Sequence, residues 1–592
     1  MNNASLELGG TNWAEKDASL LGYTVSDDSG RFFPQEFTFS RGSNLAATRI
    51  GKTGLIEKGR ENVLLQSNQF DTTWGSGSGT IVGGQADKDG GTSAWSFTSA
   101  GGTNGLNQSI TTGGVQTFSA YIKKNATNGV RIYMFGSANV SPWFNLDTGS
   151  VISLSGAVDA TIVEYNSEWW RISVTCNSTL SSIYFYCTNN SQVQVVGTIT
   201  IQDSQLEQGL AASPYIETTT TSAQAGVLEN TPRLNYTTGV ANPYLLLEPS
   251  RTNLVPISEG IPEDFSNLTL TENYGTSPEG VQNSLKVQKS GVDENDRIYP
   301  IDNYNAVLVS GRDYSISAFV KNIDVDITGV TTIACRVNGG SLFRQGYEWT
   351  SNGLITSSSF GGSGVKSNVL LEDYGDDWWR IGFSFEADGT SGNLELDIDR
   401  DNGSDTTSIE TWGWQLESAT GDASYATSYI PTYGVSATRA ADTCSKTDAS
   451  GEIGQTEGTA FIELNVTSLA SAGVYAGFRI FDGTNANKLE FIYYPDGRIQ
   501  AVSFVGGALV ANINLPSYGL TTGVHKFAFA YKLNDYVLYV DGVNVGVDTS
   551  ASVPLTSQFD LFRTNGGLLN YNNAILYKER LTNAELATLT SS

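Results

Sequence analysis

One feature constrains this chain more than any other: a long stretch of it occurs twice. Leu55-Ile56-Glu57-Lys58-Gly59-Arg60-Glu61-Asn62-Val63 matches Leu246-Leu247-Glu248-Pro249-Ser250-Arg251-Thr252-Asn253-Leu254, with Leu, Glu, Arg and Asn in register. Ser119-Ala120-Tyr121-Ile122-Lys123 then matches Ser317-Ala318-Phe319-Val320-Lys321, and Trp169-Trp170-Arg171-Ile172 matches Trp378-Trp379-Arg380-Ile381. Gln205-Leu206-Glu207 closes the first copy as Gln415-Leu416-Glu417 closes the second, each followed by a Tyr-Ile exit segment (Tyr215-Ile216, Tyr429-Ile430). The anchors keep their order while the offset between copies grows, as expected when elements are kept and loops lengthen.

The repeating unit reads as β. In Phe118-Ser119-Ala120-Tyr121-Ile122 and Arg171-Ile172-Ser173-Val174-Thr175 every second residue is apolar, the mark of a strand with one buried face. Short strands between Gly-, Asn-, Asp- and Ser-rich turns predict a two-sheet sandwich or jelly roll. After Asp442 the pattern changes to Ala460-Phe461-Ile462-Glu463-Leu464, Lys526-Phe527-Ala528-Phe529-Ala530-Tyr531 and a hairpin through Asp541-Gly542, a pair suited to the positive φ angles of a primed turn. Thr582-Asn583-Ala584-Glu585 is a capping box opening one short helix.

The expected class is therefore all-β, with tandem jelly-roll/β-sandwich domains. The expected division is residues 1–54 as an N-terminal docking segment, 55–218 as module 1, 219–244 as a linker, 245–447 as module 2, and 448–592 as a second type of sandwich. The first segment, punctuated by Trp13, Leu20-Leu21 and Phe32-Phe33-Pro34, has too little apolar surface for a core of its own and is expected to pack on the next domain or a partner chain.

Charge excludes some partners. Asp and Glu number 61 against 34 Lys and Arg, a formal net charge of −27, and no basic stripe offsets it. Phosphate backbones need a basic face, so nucleic acid is not an expected partner. No apolar run reaches membrane-spanning length and the Met-Asn-Asn-Ala start carries no signal-peptide pattern, so no membrane insertion is expected. Cys176, Cys187, Cys335 and Cys444 are too few for a disulfide scaffold and read as buried thiols.

Two groups of residues carry the candidate chemistry. Tyr184, Tyr186, Trp143 and Trp349 could form a stacking platform, because an aromatic face suits the apolar face of a sugar ring. Glu395, Asp397 and Asp399 alternate with Leu396 and Ile398, so one strand face carries all three carboxylates. Such a face reads first as solvated; it could also contact a ligand or hold a structural Ca²⁺, or act as a pair of glycosidase acids. The matching strand of module 1 has Tyr184 and Tyr186 in place of the acids. The lone histidine, His525, heads a strand and excludes most triads and zinc sites. No catalytic residues are assigned, and no enzymatic activity is expected. No nucleotide-binding glycine motif is present, and no cofactor beyond that structural Ca²⁺ is expected.

At this point a resemblance becomes specific. His525-Lys526-Phe527, Tyr539-Val540-Asp541-Gly542, Ile575-Leu576-Tyr577, Leu581-Thr582 and Glu585 together resemble the laminin-G or concanavalin-A-like jelly roll. Leu246 to Leu254, Tyr429-Ile430-Pro431-Thr432 and Thr438-Arg439-Ala440-Ala441-Asp442 resemble sequences recurrent in bacteriophage fibre and spike proteins, where they flank modules like those that bind carbohydrate. The resemblance covers about residues 37 to 592 and implies a virion protein, head or tail fibre or spike, that adheres to host surface polysaccharide. It further implies a homotrimer joined to other virion proteins through the N-terminal segment. A purely architectural head-fibre, decoration or tail-connector protein and a polysaccharide depolymerase are the alternatives.

Overall fold

The computed structural model describes residues 4–591 apart from 11–12, 17–18, 26–31, 43–44, 237–241, 291–295, 325–328, 358–360, 399–407, 419–423, 467–475, 495 and 564–568. The described chain is strands throughout, with one helix, Asn583–Thr590, opened by the capping box of Thr582 and Glu585. The expected all-β class is what the chain adopts.

Each module is a sandwich of two antiparallel sheets. In module 1 the sheet holding the Trp-Trp-Arg strand Trp169–Asn177 is built around Val115–Lys124 and Val196–Gln208; we call it the anchor sheet. Opposite lies a face sheet in the order Leu106–Thr112, Leu180–Thr188, Gly129–Gly136, Trp143–Asn145, Ser150–Ser153. Module 2 repeats both. Its anchor sheet centres on Asp313–Asn322, Trp378–Glu386 and Ser408–Ser418, and its face sheet runs Asp264–Ser266, Arg297–Val307, Ser391–Asp397, Val330–Val337, Leu342–Thr350, Gly353–Ser357. Even a β-bulge is shared. The ladder shifts between Ser119 and Tyr121 in one copy and between Ser317 and Phe319 in the other, opposite Asp203 (φ 52°) and Gly413 (φ 64°).

The residues common to the two copies explain why they are common. Asn62 Nδ2 donates to the carbonyls of Ser204 (3.2 Å) and Ile216 (2.8 Å) while its Oδ1 accepts from the amides of Leu64 and Leu206. Asn253 does the same with Trp414 (3.1 Å), Ile430 (2.9 Å), Val255 and Leu416. Gln205 and Gln415 each accept from the exit-segment amide, Ile216 or Ile430, at 2.7 Å. Arg171 reaches Ser119 Oγ and the Ser213 carbonyl, as Arg380 reaches Ser317 Oγ and the Thr427 carbonyl. These side chains saturate backbone groups of an extended exit segment that has no full ladder of its own, and buried backbone polar groups must find partners.

Three expectations about organisation are corrected. The described part of the first 40 residues packs neither on the next domain in sequence nor as a segment kept for a partner chain: Leu6–Gly9 pairs with Leu569–Tyr577, and Phe32–Ser40 pairs with Thr443–Lys446, so these are strands of the C-terminal sandwich. Leu6, Leu8, Leu20, Phe37 and Phe39 sit in its core with Ile462, Phe491 and Phe527. The same strand Thr443–Lys446 also pairs with Gln558–Arg563, so the last residues assigned to module 2 belong to that sandwich. The linker is not loose either. Ala223–Ala225 pairs with Arg60–Asn62, and Leu234–Asn235 pairs with Tyr244–Leu246, which joins the sheet edge at Leu569–Tyr577.

Buried charge ties these units together. Arg233, with no exposed side-chain surface, pairs with Glu248 at 2.6 Å and with Asp442; Arg41 meets Asp442 at 3.4 Å and Arg439 meets Glu248 at 3.0 Å. A second cluster joins the modules: Lys58 contacts Glu259 (2.8 Å) and Glu279 (2.6 Å), and Arg60 contacts Glu279 (2.6 Å) and Glu207 (3.3 Å). Between the anchor sheet of module 2 and the C-terminal sandwich, walled by the hairpins Thr48–Lys58 and Leu234–Leu246, lies a cavity of about 410 Å³.

Candidate functional site

Strand alternation decides which side chains the face sheet of module 1 presents. Val130, Ile132 and Met134 enter the core with Ile183, Phe185 and Cys187, which directs Arg131, Tyr133, Phe135, Tyr184 and Tyr186 to the other side of the sheet, where neighbouring side chains leave Tyr186 only 7% exposed. Ladder register then brings them together. Arg131 lies directly opposite Tyr186 on one side and Trp143 on the other, and Tyr133 lies opposite Tyr184.

The rings form one patch. Tyr184 and Tyr186 stack with centroids 5.7 Å apart and planes 8° from parallel, and Tyr133 stands 5.9 Å from Tyr184 and 6.5 Å from Tyr186. Arg131 caps them: its guanidinium lies 4.8 Å from the Tyr133 centroid, 5.1 Å from Trp143 and 5.5 Å from Tyr186. Arg131 Nε donates to Ser141 Oγ at 2.5 Å, and Nη1 is 3.0 Å from the Gln194 amide, oriented to accept from it and donate to Gly102. The guanidinium is thus fixed by five neighbours, and cation–π attraction of this kind contributes about 0.5–2 kcal/mol per contact. Burial lowers the Arg131 pKa, opposed by the phenols of Tyr186 and Tyr133, and burial raises that of Tyr186. Phe135 extends the patch and is 46% exposed; Tyr133, Tyr184 and Trp143 are half-buried.

Sequence reasoning named three members of this patch, Tyr184, Tyr186 and Trp143, and the structure brings those three together. It missed Arg131, Tyr133 and Phe135. Their alternation with Val130, Ile132 and Met134 was a usable signal, but the pairing that sets them beside Tyr184 is not written in either strand.

Trp349 does not belong with them. It is 4% exposed, packs in the core of module 2 and donates from Nε1 to Thr331 Oγ1 at 2.9 Å. The inward side of its strand, with Phe343 and Tyr347, claims it.

The carboxylates are also placed differently from the solvated face expected for them. Glu395 and Asp397 are 3% and 5% exposed. They lie under two arginines: Arg297 is 3.3 Å from Glu395 and 3.1 Å from Asp397, Arg336 is 3.0 Å from Glu395, and Thr332 donates to Asp397 at 3.0 Å. The face sheet of module 2 thus carries a charge lattice where module 1 carries aromatics. A cation there would have to displace guanidinium groups, and among the described residues no group of three or more His, Cys, Asp or Glu side chains is placed to hold a metal. Asp399 lies outside the described residues.

His525 has both ring nitrogens engaged, Nδ1 with Asp541 Oδ2 at 2.7 Å and Nε2 with the Thr521 carbonyl at 3.0 Å. Asp541 (φ 48°) and Gly542 (φ 83°) form the expected primed turn beside it. All four cysteines are buried and free, with thiols pushed up by burial, to about 12 for Cys176 and Cys187.

No family model matches the chain, and no curated protein is similar to it in sequence. Among solved structures the loose matches include carbohydrate-binding modules, galectins and sialidases. The CBM40 module of the Ruminococcus gnavus IT-sialidase bound to α2,3-sialyllactose matches 23% of this chain and 84% of its own length, at 13% identity and TM-score 0.21. The CBM2 module of the evolved Dit of Lactobacillus casei BL23 phage J-1 matches 24% of this chain and 71% of its own, at 12% identity and TM-score 0.19. Caenorhabditis elegans galectin LEC-6 matches 21% and 85%, at 16% identity and TM-score 0.16. Similarity this loose says nothing about a ligand, so the chemistry of the face has to carry any functional reading.

Proposed function

We propose that the protein is a non-enzymatic adhesin that binds cell-surface glycan through the face sheet of module 1. The observation that carries this reading is the accessible aromatic surface of Tyr184, Tyr133, Trp143 and Phe135 around a fixed Arg131, with the largely covered Tyr186 stacked behind Tyr184. Aromatic surface covers the C–H face of a sugar, while phenol hydroxyls and a guanidinium supply the polar contacts. The strongly negative chain, at −27, suits a neutral polysaccharide better than nucleic acid or an anionic membrane. Within this reading the protein is a head or tail fibre or spike of a bacteriophage, displayed on the virion. It assembles as a homotrimer with other virion proteins, and avidity multiplies weak single sites.

The rival is the architectural reading, favoured by the buried charge clusters that tie three sandwiches into one chain. A glycan array probed with the purified protein separates them. Adhesion predicts a defined hit that weakens about tenfold in Trp143→Ala and in Tyr184→Ala, the loss of one stacking contact. A blank array with tight binding to particles supports the architectural reading, and glycan cleavage on the array supports a depolymerase.

A further inference from the structure

The cavity between module 2 and the C-terminal sandwich lies on different strands from the aromatic face, and three of its lining side chains have no part in the contacts that hold the fold. Asn465 and Asn570 are directly paired across two strands of the C-terminal sandwich, so both side chains leave the same face. Opposite them, Glu372 and Arg380 are paired on the anchor sheet of module 2, beside Tyr374. All five line the cavity, with Tyr244 from the second hairpin. The side chains of Glu372, Asn465 and Asn570 make no hydrogen bond or ion pair to any described residue; Asn570 is 5% exposed, where such a group is expected to be satisfied, while Asn465 is half-buried and Glu372 exposed, both facing the cavity. Glu372 is reached by solvent through the cavity, and the surrounding protein raises its pKa by desolvation, against the attraction of Arg380.

We propose that this junction is a second ligand site, which takes a neutral polyhydroxylated molecule the size of a mono- or disaccharide. Its volume, about 410 Å³, falls within the range of small-molecule pockets. The unpaired groups select the class. Two amides each donate and accept and one carboxylate only accepts, a set that hydroxyls match because they do both. Tyr374, Tyr429 and Ile56 supply an apolar wall for a ring. An anionic ligand would face Glu372 and Asp373, and a cationic one would face Arg49 and Arg380. Because three parts of the chain build the walls, occupancy would also brace them against each other.

The test uses the full chain carrying Tyr184→Ala and Trp143→Ala, so that the aromatic face contributes nothing. Saturation-transfer NMR is run with glucose, galactose, N-acetylglucosamine, maltose, glucuronate and glucosamine. The site predicts a signal from at least one neutral sugar, reduced about tenfold in affinity by Asn570→Leu and by Glu372→Gln, with Tm unchanged by the latter. Glu372→Gln keeps shape and size, so it decides the matter if Asn570→Leu fails to fold. No neutral sugar bound, a signal indifferent to both substitutions, or a preference for glucuronate or glucosamine overturns the proposal. The array with wild-type protein reads the aromatic face separately.

Discussion

The two modules share the central strands of one topology, module 2 adding edge strands such as Asp264–Ser266, and differ in what they show to the outside. On the face sheet of module 1, Arg131 is surrounded by Tyr133, Trp143 and Tyr186; on that of module 2, Arg297 and Arg336 are surrounded by Glu395 and Asp397. What stays the same is internal: Asn62 and Asn253, Gln205 and Gln415, Arg171 and Arg380 make matching bonds. Repeated residues here therefore report on folding, and residues that changed between copies are where to seek binding.

The largest expected effect tests the shared part. Asn253→Ala leaves two buried carbonyls and two amides unpaired, which costs about 3 kcal/mol or more. Asn62→Ala should cost the same within about 1 kcal/mol, because the partners match one for one. Urea denaturation of both variants checks this, and unequal losses would break the equivalence of the copies.

Next come the charges that the copies do not share. Burial alone would raise the pKa of Glu248, but Arg439 and Arg233, with donors from Ser428, bring it well below the usual carboxylate range. A depressed carboxylate stabilises the fold above its unfolded pKa and loses that contribution as pH falls, so stability should drop steeply below about pH 4.5. Replacing Arg233 by Met should cost about 3 kcal/mol at neutral pH, the low end for a broken buried pair, since Glu248 keeps Arg439 and Asp442 keeps Arg41. It should also flatten the acid limb of the pH–stability curve.

Glu272, at the contact between modules, has the opposite sign. Burial, with a smaller push from Asp159, raises it to about 7. Its contribution is present below the unfolded pKa and lost as pH rises towards 7, by roughly 2 kcal/mol. Glu272→Gln should remove that slope in melts between pH 5 and 8. The smallest effect concerns metal: with Glu395 and Asp397 held by arginines, millimolar Ca²⁺ or its chelation should move Tm by less than about 1 °C.

How much of this was legible in the sequence follows from distance along the chain. The repeat was, because each copy carries its own Asn, Gln and Trp-Trp-Arg signature within one unit. The place of the first segment was not, since Leu6 pairs with Leu576 at the far end and no local pattern announces such a partner. Alternation correctly set Tyr184 and Tyr186 on one side of a strand. The same rule made Glu395 and Asp397 look solvated, because period two gives the side of a sheet but not what neighbouring strands bring to it. Trp349 had the period for either side, and its burial depended on the partner strand holding Thr331.

The most direct measurement takes the strongest glycan from the array and compares affinities of two paired variants: Trp143→Ala with Tyr184→Ala in module 1, and Arg336→Gln with Glu395→Gln in module 2. A glycan site on the face sheet of module 1 predicts at least a tenfold loss for the first pair at an unchanged Tm, and wild-type affinity for the second, whatever its stability. Binding that survives the module 1 pair and disappears with the module 2 pair would contradict it.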